Sequence, residues 1–166
     1  MSLQCLYLAI HDIIQMNSQI KEKLLKQILK KLDQQIDSSL LEVDSIRESR
    51  NSETKSSAGD KFETGRAMAQ MELEKMEAAL ARSMKLKEDL SKINIQKEYT
   101  KVEYGSLIIT NVGNYLACFA LGKVRHDGMD YYAISLASPI GQVIVGKKPG
   151  DRVLFQGREI EILKII

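Results

Sequence analysis

Tryptophan is absent from this chain of 166 residues, proline occurs twice, and aromatic side chains make up only 5% of it. So thin a supply of large rings argues against one large core, and a charged fraction of 28% suits long solvated helices instead. Cysteine is scarce as well. Cys5 and Cys118 lie in different parts of the chain and form neither a metal-binding nor a redox spacing, which points to inert thiols in a reducing compartment. No apolar run reaches the roughly 18–20 residues that a bilayer span needs, so no membrane partner is expected. Neither sign of charge dominates: residues 1–97 hold 16 basic and 15 acidic side chains, and residues 98–166 hold 8 and 7. Without a stripe of positive potential, direct DNA binding is weak or absent.

Catalytic signatures are missing too. There is no glycine-rich phosphate loop, serine nucleophile elbow or zinc spacing. His11 and His126 stand too far apart in sequence to suggest a metal pair, and Cys118 falls inside a strand-like run, where a core role is expected. The opening residues are moderately apolar but lack a basic start, and His11-Asp12 follow, so they do not read as a secretory signal. Residues 1–16 are taken as an N-terminal extension, with Met16 as a second candidate start, and a cytoplasmic address is expected.

What the chain does contain is helical periodicity. From Asn17 to about Arg50, Leu25, Leu29, Leu32, Ile36, Leu40 and Val43 recur at intervals of three and four, the spacing of one helix face. No glycine or proline interrupts the run. A helix of this length needs a partner along its flank. The pattern Ala69, Leu73, Met76, Leu80, Met84 and Leu90 supplies one, with Met68, Met71, Met76 and Met84 expected as flexible core side chains. Residues 17–95 therefore predict an antiparallel coiled-coil hairpin, monomeric because the short connection folds the chain back on itself.

The tip of that hairpin is placed at residues 56–65, a polar stretch containing Gly59 and Gly65. It carries Asp60 and Glu63, three positions apart. That spacing fits a capping box, Ser57 before Asp60 offers an alternative cap one turn earlier, and acids are favourable at a helix N-terminus. The same pair could work at a distant site. Phe62 beside them either packs on the opposite helix or touches a partner.

Beyond Asn94 the period changes. Gln96 to Lys101 is polar and reads as a linker or first edge strand. Residues 107–110, 115–120 and 131–136 read as strands, with turns at 111–114 and 126–128. Ser138 and Pro139 start a short helix as N-cap and first residue; Ile140, Val143 and Ile144 mark its buried side, and Gly146 ends it. Asp151–Gln156 and Arg158–Ile165 form a closing hairpin around Gly157. Five or so strands and one helix make residues 96–166 a small α+β domain.

The run from Ile134 to Asp151 resembles the C-terminal domain of the Gre family of bacterial transcript cleavage factors, in a divergent form. Ser138-Pro139-Ile140-Gly141, then Gly146-Lys147, then Gly150-Asp151 match that family's motif at its spacing. The resemblance implies an FKBP-like α+β domain behind a helical hairpin. It implies a transcription elongation factor that binds RNA polymerase, enters its secondary channel with the hairpin, and rescues paused or backtracked complexes. Asp60 and Glu63 match the family's acidic pair. By the resemblance they assist the Mg²⁺ of the polymerase active site beside the RNA 3′ end, so that the polymerase cleaves its own transcript; carboxylates are suitable ligands for so hard a cation. The chain itself would be no enzyme and would hold no metal or cofactor alone.

Phe62, Ser138, Pro139 and Gly141 are the candidate partner-binding residues. Lys55, Lys61 and Arg66 surround the acids and dilute their charge, which favours a second reading: a regulator that occupies the channel without cleavage and inhibits. A third follows from the FKBP-like domain, an isomerase or chaperone, which needs aromatic side chains clustered around a proline pocket.

Overall fold

A computed structural model describes residues 3–53 and 61–166, with side chains described at 19–49, at 65 and from 67 onward. Helix α1 runs from Leu3 to Glu53 and helix α2 from Lys61 to Ser91. Six strands follow: β1 (Leu107–Thr110), β2 (Asn114–Cys118), β3 (Gly122–His126), β4 (Met129–Ser135), β5 (Arg152–Phe155) and β6 (Arg158–Ile165). Helix α3 (Pro139–Ile144) lies between β4 and β5. The chain is thus α+β, as its periodicity indicates. It divides into two compact units, one formed by the chain up to Ile28 together with Leu90–Ile166, the other by Leu29–Asp89.

Helix α1 begins well before Asn17, where the sequence pattern placed its start. No glycine or proline precedes Asn17, so nothing in the backbone chemistry stops the helix there. Likewise α2 begins at Lys61, inside the polar stretch read as a break, and Gly65 sits within it.

In the Leu29–Asp89 unit, Leu32, Ile36, Val43 and Leu73 are buried and Ile46, Met76, Leu80 and Leu86 are half-buried. Two ion pairs cross between the helices, Asp33 with Lys87 and Arg47 with Glu77. A partner later on α1 pairs with one earlier on α2, which makes the helices antiparallel. Two expected seam residues are not in the seam. Leu40 is 39% exposed and Met84 is 52% exposed; Ser39 is half-buried and Ser83 is buried beside them. Alternating steps of three and four residues keep a seam facing its partner, and from Ile36 and Leu80 a step of three lands on Ser39 and Ser83. The buried Ser83 hydroxyl satisfies itself by donating to the Ala79 carbonyl at 3.2 Å. The methionine stripe is corrected with it, since Met68 and Met71 are also exposed.

In the other unit the strands form one sheet in the order β3-β4-β2-β1-β6-β5. Strands β2 and β4 are parallel and all other neighbours antiparallel. Strand β3 is an edge whose Lys123 and Arg125 are exposed, with Val124 alone buried; so polar a strand suits an edge and leaves little apolar signal. The polar linker forms no strand. It anchors instead through buried Tyr99 and Val102, the latter bonded to the Lys147 carbonyl and the Gly146 amide.

One face of the sheet forms the core with α3: Ile108, Ala117, Val153, Ile160, Ile162 and Ile165 pack with Ile144, Tyr99 and Val102. Leu107, Leu116, Val124, Tyr131 and Ala133 are buried as well. Among the described residues, side chains of α1 meet this unit's sheet domain at positions that include Lys21 and Gln27. Gln27 Nε2 lies 3.3 Å from His126 Nδ1, and Lys21 Nζ lies 4.0 Å from the centre of the Tyr99 ring.

Candidate docking site

The Ser138-Pro139-Ile140-Gly141 segment is built by local chemistry. Ser138 is extended (φ −69°, ψ 158°), and its hydroxyl accepts from the Gly141 amide at 3.2 Å while donating to the Ser135 carbonyl at 2.6 Å. Pro139 takes the first helical turn, where its missing N–H costs nothing. Gly141 has no room for a side chain, because an added Cβ would lie 2.2 Å from the Ser135 carbonyl oxygen. Downstream, the Asp151 carboxylate accepts from the Lys148 amide at 2.8 Å, and Gly150 turns with φ +90° to donate to the Ile162 carbonyl. Each part of the motif therefore closes a turn or a helix end. Of the three predicted docking residues here, Pro139 is exposed, Ser138 half-buried and Gly141 buried.

Beside this segment lies a cleft of about 350 Å³. Ile140 forms one wall, directly after Pro139. Val112 and Tyr115 come from the β1–β2 turn and β2, Phe155 from the end of β5, and Arg158 and Ile160 from β6. The type of turn between β5 and β6 brings Phe155 and Arg158 face to face: Gln156 (φ 50°) and Gly157 (φ 76°) both adopt left-handed backbone, and the two flanking residues pair directly. The ring of Tyr115 stands 6.0 Å from that of Tyr132, and burial raises the Tyr115 hydroxyl above its usual pKa. Helical and strand periodicity hid this cleft. Its walls come from α3, β2, β5 and β6 with the β1–β2 turn, and only Ile140 belongs to the motif.

A second cluster was also invisible in the sequence. Lys21 is fully buried with no hydrogen-bond partner for its ammonium among the described residues; it rests on the Tyr99 ring. Burial, and secondarily Lys97, push it down to about 8. Lys97 stands 5.0 Å from the same ring and pairs with Glu103 at 2.9 Å. Cys118 is buried and pushed up to about 11, as an inert thiol should be.

At the predicted tip, Asp60 lies outside the described residues. Phe62 and Glu63 fall in the first turn of α2, and their side chains lie outside the described set. No three metal-ligating side chains come together among the described residues, and no helix there is long and apolar enough to cross a membrane. No family model matches the sequence, and no curated protein matches it. Among solved structures the chain is similar to the transcription factor Gfh1, at 21% identity over 82% of this chain and 92% of that one, with a TM-score of 0.31.

Proposed function

We propose that this chain is an RNA polymerase-binding transcription elongation factor, in which the α1–α2 pair enters the secondary channel and the sheet domain docks outside it. The observation that carries the reading is the Ser138 to Asp151 motif on an α+β domain that follows two long antiparallel helices. In this reading the domain is FKBP-like, and Pro139, exposed beside the cleft, meets the polymerase with Ser138 and Gly141 holding it in place. Asp60 and Glu63 would assist the polymerase Mg²⁺ near the RNA 3′ end, and the chain would be no enzyme by itself.

The test is transcript cleavage in stalled elongation complexes with purified core enzyme. Cleavage stimulated by the chain and abolished in Asp60→Ala is the expected result. A second reading, a channel occupant that does not promote cleavage, draws on Lys61 and Arg66 beside the acids; binding with inhibition is its signature. Failure to bind core enzyme at low salt removes both.

A further inference from the structure

The cleft next to Pro139 combines aliphatic and aromatic side chains with polar groups and a single charge. Val112, Tyr115, Ile140, Phe155 and Ile160 line it together with Gln156, and Arg158 is the one charged residue of its lining. The two arginines of the β5–β6 hairpin differ in a telling way. Arg152 is committed, with its guanidinium 3.2 Å from Glu159 and 3.1 Å from Glu161. Arg158 is exposed and has no ion-pair or hydrogen-bond partner among the described residues. An exposed guanidinium in the lining of a cleft that also presents aliphatic and aromatic side chains, with no acid in that lining to neutralise it, is complementary to a carboxylate set beside an apolar group.

We propose that this cleft docks a segment of a partner protein in which an aliphatic or aromatic side chain is followed directly by an aspartate or glutamate. The apolar side chain enters between Ile140 and Phe155, and the carboxylate meets the Arg158 fork. Val112, 45% accessible at the edge of the cleft, and exposed Pro139 next to it give the backbone of such a segment a surface to lie on. The inference rests on the docking role given above to this rim. It does not require the partner to be RNA polymerase.

The test uses the full chain without polymerase. It is titrated with short acetylated peptides carrying one leucine or phenylalanine followed by aspartate, by asparagine or by lysine, and followed by backbone amide NMR. The aspartate peptide is expected to bind about threefold to fivefold tighter than the asparagine peptide, with shifts concentrated at Val112, Tyr115, Ile140 and Phe155. Arg158→Ala should erase that preference without changing the melting temperature, and Arg158→Lys should keep part of it. Equal affinity for the aspartate and lysine peptides overturns the proposal, as does no binding at millimolar peptide. So does binding of 3-phenylpropionate alone as tightly as the peptide, which would assign the cleft to a small carboxylate. Loss of polymerase binding with peptide binding intact would count against the proposed function and leave this inference standing.

Discussion

A single added methyl group tests two glycines in opposite directions. At Gly65, inside α2, a Cβ would meet nothing within 4 Å, and alanine favours a helix interior over glycine. Gly65→Ala is therefore expected to stabilise the chain by about 0.5–1 kcal/mol, read as a higher melting temperature. At Gly141 the same atom would lie 2.2 Å from the Ser135 carbonyl oxygen. Gly141→Ala should cost about 1–3 kcal/mol and push α3 off its cap. Lys21 gives a pH prediction. Its pKa is about 8 in the folded chain against 10.5 for an ordinary lysine. Below pH 8 both folded and unfolded chains carry the proton; above it the unfolded chain holds more protons, so stability rises with pH from about 8 toward 10.5. Burial raises the Cys118 thiol from 9.0 to about 11 and Tyr99 above its usual 10.0, opposing effects that set in once the unfolded thiol and then the unfolded tyrosine ionise. A denaturant titration series should therefore show the rise between pH 8 and 9, by about 1 kcal/mol, and Lys21→Met should flatten it.

At the scale of elements, the helix pair offers a clean contrast between seam and flank. Leu73 is 4% exposed and Met84 is 52% exposed. Leu73→Ala is expected to cost about 2–4 kcal/mol, whereas Met84→Ala should stay within about 0.5 kcal/mol. Equal losses would return Met84 to the seam. The helices themselves were legible from their apolar spacing and their want of glycine and proline. The true seam was not, because a leucine four residues after Ile36 and a serine three residues after it both satisfy helical periodicity. Only the facing helix selects between them. Strand β3 escaped notice for a related reason: one buried residue, Val124, among exposed Lys123 and Arg125 leaves no alternation to read. The short helix α3 was readable to the residue, since Ser138, Pro139 and Gly146 act through their own backbone chemistry.

For the whole molecule, the first part of α1 belongs to the same compact unit as the sheet. Removing residues 1–28 takes away the Lys21–Tyr99 and Gln27–His126 contacts. The remaining 29–166 fragment is expected to melt at lower temperature than the full chain and to lose its protection from amide exchange first at β3 and β4; an unchanged exchange pattern would show that α1 adds nothing to the sheet. The motif at Ser138 to Asp151 was visible in sequence because capping and turn formation depend on residues a few positions apart. Local chemistry of that kind set the helices and the turns, while the order of the strands in the sheet came from long-range pairing. The tertiary structure decided which face of each helix is buried, that a lysine lies against a tyrosine nearly eighty residues later, and that Arg158 shares a cleft with side chains from α3, β2 and β5. Those outcomes depend on which distant surfaces meet, and burial acts on distance in space, which sequence separation does not encode.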